Sequence, residues 1–132
     1  MHKNLSLLPI SILLYLVTVS GCTFQQLQPS QHSVQHVVLA WAKPGTPDST
    51  IDRIIKETRE LQKIPGIERL YVGRAIPSER KIVDSSYDIG IVMSFPDVET
   101  MNRYINHPQH VDFVNRYVKP HVNRIIVYDI QD

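Results

Sequence analysis

Apolar positions between residues 35 and 130 repeat with two periods, near two and near 3.6, and the changes of period mark the elements. Gln35 to Ala42 (QHVVLAWA) reads as a strand, with Val37, Leu39 and Trp41 on one face and His36, Val38, Ala40 and Ala42 on the other. Lys43 to Pro47 (KPGTP) is a turn, with Thr46 expected as an N-cap and Pro47 at the first helical position. Ile51, Ile54, Ile55, Thr58 and Leu61 then form a helical stripe, which Pro65-Gly66 ends. A second strand spans Ile67 to Arg74 (IERLYVGR), and Ile76 to Ser86 is a polar loop. Tyr87 to Phe95 (YDIGIVMSF) is a third strand, with Ile89, Ile91, Met93 and Phe95 sharing a face.

Asp97 is placed to cap a helix running through Met101, Tyr104 and Ile105. Pro108 must interrupt it and can open the next helix, for which Val111, Val114 and Val118 supply an apolar stripe and Pro120 a stop. Arg124 to Ile130 (RIIVYDI) is the last strand, apolar on both faces. The order β-α-β-β-α-α-β predicts an α+β domain: a ferredoxin-like four-stranded antiparallel sheet with helices on one face.

That architecture leaves a physical problem. The helices cover one face of the sheet, yet the first and last strands are apolar on both. An uncovered second face would exceed the few hundred Å² of contiguous apolar surface usual on a monomer. The Thr23–Ser33 segment and the Ile76–Ser86 loop are too polar to cover it well. A second copy, sheet against sheet, would bury it, so a homodimer is expected.

The first 34 residues follow different rules. Lys3 is a small basic start, Leu5 to Val19 is mostly apolar, and Val19-Ser20-Gly21 precedes Cys22. A run this short is a secretory signal rather than a membrane span. Small residues just before the chain's only cysteine resemble the lipobox of bacterial lipoproteins, in which the cysteine is acylated. Residues 1–21 are therefore expected to be a signal peptide, Cys22 the lipidation site, 22–34 a flexible tether, and 35–132 the folded domain. With Thr23 rather than Asp after the cysteine, the resemblance points to the outer membrane, facing the periplasm. Acyl chains would supply the membrane anchor at ~0.8 kcal/mol per buried CH₂. Lipidation would use the only thiol and leave the domain without a disulfide.

Composition excludes some partners. The chain has 132 residues, 42% hydrophobic and 20% charged, ordinary values for one globular domain. Lys3 is the only Lys or Arg before Cys22, and no acid lies there, so the mature chain balances thirteen basic against thirteen acidic side chains. It has no basic run, and no nucleic-acid partner is expected.

Tyr104 to Phe113 (YINHPQHVDF) holds the densest candidate chemistry. An imidazole titrates near neutrality and can move a proton either way. A phenol in reach could orient it or steady a developing enolate. On a continuous helix Tyr104 and His110, six apart, would diverge; a turn at Pro108 could bring them together. The bland alternatives are that Tyr104 is core, His107 a helix cap, His110 bonded to a loop carbonyl, and His36 an ordinary strand residue. His107 and His110 are i, i+3, and His36 or His121 could join them, but no carboxylate has convincing ligand spacing and HExxH is absent, so no metal site is expected. The glycines are scattered and form no phosphate-cradling loop, and no nucleophile motif appears.

The segments HVVLAW with KPGT, KIPGI with YVGR, YDIGIVMSF, VETMNRYINHPQHVDFV and IIVYDI, in this order and spacing, resemble the stress-responsive dimeric α/β-barrel (Dabb) family. The resemblance runs from His36 to Ile130 and implies a homodimer whose two sheets form a barrel. A plant polyketide cyclase of that family works without a metal or organic cofactor, using a tyrosine and a histidine. Carried over, they fall on Tyr104 and His110 as the catalytic pair, with a pocket histidine on His36. A second pocket histidine falls on Ile89 and an aromatic pocket residue near Ile54, so the chain departs from that pocket. The expectation is a small apolar pocket lined by Val38, Ala40, Ile54, Ile89 and Ile91, with His36, Tyr104 and His110 as polar handles. It would bind, or convert by cofactor-free acid/base chemistry, a small apolar molecule. The alternative is a noncatalytic envelope or stress protein acting through its dimer surface.

Overall fold

The computed structural model describes residues 33–132; the expected signal peptide, Cys22 and most of the expected tether lie outside the described residues. The strands are β1 (Val34–Ala42), β2 (Arg69–Gly73), β3 (Ile89–Phe95) and β4 (Val122–Gln131). The helices are α1 (Asp48–Glu60), α2 (Val98–Ile105), α3 (Pro108–Phe113) and the short α4 (Lys119–His121). One antiparallel sheet runs β2-β3-β1-β4. This is the expected ferredoxin-like α+β fold. Val34, assigned above to the tether, belongs to β1 and is 1% exposed, because it pairs with Phe95 across the sheet.

The register sorts the side chains by face. Val34, His36, Val38 and Ala40 pair with Phe95, Met93, Ile91 and Ile89, and this row faces the helices. Ile51, Ile54, Ile55 and Thr58 of α1 and Met101 and Tyr104 of α2 close over it. Each isoleucine so buried stabilises the fold by about 1.5–3 kcal/mol. Thr58, deep in this layer, donates its hydroxyl to the Ile54 carbonyl at 2.8 Å, which satisfies that hydroxyl away from water.

The ends of the elements show where local rules compete. Asp97 caps α2 as expected, accepting from the Thr100 N–H at 2.6 Å, and that bond holds its carboxyl below the usual carboxylate range. Thr46 does not cap α1. Its N–H closes the preceding turn onto the Lys43 carbonyl, Gly45 takes φ 81°, and Pro47 becomes the extended residue before the helix. Val111 is 46% exposed and drops out of the expected stripe, while Val114 and Val118 keep their places in it. Phe113 and Tyr117 join them against the core, because the chain after α3 widens into a π turn over Val114–Val118. Pro120 does not stop the helix; it sits inside α4, and β4 begins at Val122.

The other face of the sheet is open. Tyr71, Val92, Tyr128 and Ile130 are all exposed there, Tyr128 by 53% and Tyr71 by 64%. The loop before β3 covers only one corner. Trp41 donates to Ser86 Oγ at 3.1 Å and meets Tyr87 edge-on, while the Arg124 guanidinium lies 4.4 Å from the Trp41 ring centre. Among the described residues, Ser94 Oγ is buried without a hydrogen-bond partner, on the same face between Gln35 and Arg69.

Candidate functional site

Four elements meet at one corner under β1. Tyr104 ends α2, His110 lies in the first turn of α3, His36 is on β1, and Asp129 is on the edge strand β4. Pro108 makes the corner. It stands at the first turn of α3, whose N-cap is His107; the Gln109 N–H donates to His107 Nδ1 at 3.3 Å. The chain therefore reverses between Tyr104 and His110, and their ring centres come within 4.6 Å.

Each ring is held differently. Tyr104 is 2% exposed, tilted against Phe95 at 5.2 Å and edge-on to His36 at 6.2 Å. Burial pushes its phenol far above the usual range, so it stays a neutral donor. His110 Nδ1–H donates to the Ile105 carbonyl at 2.8 Å, which fixes the tautomer and leaves Nε2 with a free lone pair. Burial lowers its pKa most, with smaller contributions from His36 and His107; the Ile105 bond opposes them. A neutral imidazole near neutral pH can accept a proton.

His36 Nδ1–H donates to Asp129 Oδ1 at 2.6 Å, and the two residues are direct partners in the β1–β4 register. This pair was missed in the sequence. The signal was there: Asp129 is the lone acid within RIIVYDI, and the alternation places it on the face of Ile125 and Val127. The arrangement gives a carboxylate that orients one imidazole, a second imidazole with a free Nε2, and a neutral phenol between them. That set can take up, hold and return a proton without a metal.

The expected pocket lining is placed differently. Ala40, Ile54, Ile89 and Ile91 are members of the buried core, and Val38 packs half-buried against it. A cavity of about 340 Å³ lies on the helical side, bordered by Thr50, Arg53, Ile54, Arg116, Tyr117 and His121. Only Ile54 is common to the two sets.

Residues 34–132 match the family model of the stress responsive A/B barrel domain, Dabb. No curated protein matches the chain. Among solved structures, a Dabb family protein with a ferredoxin-like fold from Mesorhizobium loti is 27% identical, with a TM-score of 0.64 over 76% of this chain and 96% of that one. A dimeric protein of unknown function from Bacteroides fragilis is 18% identical, with a TM-score of 0.61 over 76% and 96%. The hydroxynitrile lyase of Passiflora edulis is 20% identical, with a TM-score of 0.68 over 80% and 95%. The last two share the fold alone. With its family model spanning all four strands and the whole helical layer, the chain belongs to the stress responsive A/B barrel domain (Dabb) family.

Proposed function

We propose that this protein binds a small, largely apolar molecule at the Tyr104–His110–His36 corner and can convert it by proton transfer without a cofactor. The observation that carries the reading is the 4.6 Å approach of Tyr104 and His110, with His110 Nδ1 tied to a carbonyl and Nε2 free. In such a step Nε2 takes a proton from carbon or oxygen beside a carbonyl-type centre. The electron pair moves onto the substrate, and the Tyr104 hydroxyl donates to the oxygen that gains charge. Asp129 keeps His36 oriented beside them. The hydroxynitrile lyase of the same fold supports this class of chemistry, since breaking a hydroxynitrile requires removal of a hydroxyl proton.

The setting belongs to the same proposal: an acylated Cys22 holds the domain on the outer membrane, facing the periplasm, through the residues 22–33 tether. The working form is a homodimer through the open sheet face, supported by the exposed Tyr71, Tyr128 and Ile130 and by the dimeric Bacteroides fragilis relative.

Native mass spectrometry of protein from its own host, with ring-proton NMR of His36 and His110, is the test. A retained compound that shifts both rings supports the site. A protein that carries no compound, and whose two rings no small carbonyl fragment perturbs, would sink it. The second reading, a noncatalytic protein working through its dimer surface, rests on the same apolar open face. If His110→Ala keeps every host phenotype while a monomeric variant loses it, that reading wins.

A further inference from the structure

The cavity of about 340 Å³ on the helical side shares no residue with the histidine–tyrosine corner, and its lining has a different chemistry. None of its six lining residues is acidic, while Arg53, Arg116 and His121 bring basic groups from α1, the π turn and α4. Ile54, buried, and Tyr117, half-buried, give it an apolar side. The Arg53 guanidinium sits 5.6 Å from the Tyr117 ring centre, within reach of a cation–π contact that favours its place at the cavity. Arg116 and Tyr117 project from the π turn, a local widening common at functional sites. We propose that this cavity is a binding site for a small organic acid carrying one negative charge, with its carboxylate on Arg53 and Thr50 and its apolar part against Tyr117 and Ile54.

The charge balance selects a monoanion. Arg116 Nε–H already donates to Asp112 Oδ1 at 2.8 Å, so most of its charge is answered within its own helix. Nearby Lys43 is also committed, donating its ammonium to the Lys119 and Pro120 carbonyls. Arg53 has no ion-pair partner among the described residues, and its flat fork matches a carboxylate. One uncompensated guanidinium beside an aromatic ring fits an arene or alkyl carboxylate better than a phosphate dianion. The site stands independently of the acid/base proposal.

The test titrates the full chain with benzoate, benzyl alcohol and inorganic phosphate while the His121 and Tyr117 NMR signals are followed. Saturable shifts with benzoate at millimolar concentration, and not with benzyl alcohol, are expected. Arg53→Gln should weaken benzoate about tenfold, the loss expected for one charge-assisted pair. Asp112→Asn should tighten it severalfold by releasing Arg116, a gain that misfolding cannot imitate. The proposal is overturned if benzoate produces no saturable shift, if benzyl alcohol shifts the same signals equally, or if phosphate binds more tightly than benzoate. It is equally overturned if Arg53→Gln and Asp112→Asn both leave the benzoate affinity unchanged.

Discussion

The rings of Tyr104 and His110 pack at 4.6 Å, tilted by 49°, although they lie six positions apart, because the chain turns at Pro108 between two short helices. Tyr104 serves the core and the site at once, and substitutions can divide the two roles. Tyr104→Phe keeps the ring packing and should shift the melting temperature by only a few degrees. Tyr104→Ala leaves a cavity worth about 3–5 kcal/mol, and a domain of this size loses about 4–8 °C per kcal/mol. On the proposed reaction, Tyr104→Phe should lower kcat by about 10²–10³ through the lost donor, and His110→Gln by about 10²–10⁴. Thermal melts and turnover of the compound recovered by mass spectrometry check both. Unchanged turnover in both variants would leave the pair a purely structural contact.

The His36–Asp129 bond predicts a coupling. The His36 side chain is 9% exposed, so removing Asp129 strands a buried polar group, whereas the Asp129 side chain is 43% exposed and can turn to water. Asp129→Ala should therefore cost about 1–2 kcal/mol, the lower part of the usual range for an orphaned partner. In a His36→Phe background the same change should cost little. A double-mutant cycle by urea unfolding measures the difference, and additive losses would show that the pair is not energetically coupled.

His110 predicts a pH dependence with a definite sign. Its pKa lies below the ordinary 6.5, chiefly because burial disfavours the imidazolium. Below pH 6.5 the unfolded chain takes up a proton that the folded chain refuses. The stability linked to this group is therefore complete above the unfolded pKa. It falls as pH drops through the window between the unfolded and the folded pKa, then levels off. The C2–H resonance of His110 should titrate with a midpoint below 6.5, and His110→Gln should remove that portion of the slope. A midpoint above 6.5 would contradict the buried, neutral assignment.

Period and punctuation make most of the fold legible in the sequence. Ile89, Ile91, Met93 and Phe95 alternate cleanly because β3 is covered on one side only, and Asp97 reads as a cap because its short carboxylate reaches the Thr100 N–H three residues on. Legibility ended where a neighbour in space outweighed a neighbour in sequence. Val111 has helical spacing from Val114 and Val118, but the π turn rotates the later residues relative to it, and Phe113 takes the buried place. Asp129 is one acid in an apolar strand until the register sets it opposite His36. The pairing of β1 with β4 joins residues 93 positions apart, and no local pattern encodes it.

Gly66 is a position where sequence punctuation becomes a steric requirement. Its φ is 100°, and a Cβ there would lie 2.3 Å from Thr100 Cγ2. Thr100 is buried, its backbone N–H is held by Asp97 and its hydroxyl accepts from Arg103, so its methyl cannot step aside freely. Gly66→Ala should destabilise by more than about 1 kcal/mol, combining the positive-φ penalty with the clash. Gly45 also has positive φ, 81°, but open space around it, so Gly45→Ala should cost only the φ penalty. Urea midpoints of the two variants check the order, and equal losses would mean that α2 moves aside at Thr100.

The open sheet face carries the last prediction. Tyr128 lies opposite Val37, and Tyr71 lies opposite Val92, so the two tyrosines flank an apolar strip across the sheet. A long edge strand with exposed Tyr128 and Ile130 is an aggregation hazard unless something covers it. Tyr128→Glu should convert the dimer to a monomer at micromolar concentration, because it would bury an unpaired carboxylate in an apolar interface. His110→Gln, on the opposite face of the sheet, should leave the dimer intact. Sedimentation equilibrium separates the cases: a wild-type monomer, or a Tyr128→Glu dimer as tight as wild type, would rule out this face as the interface.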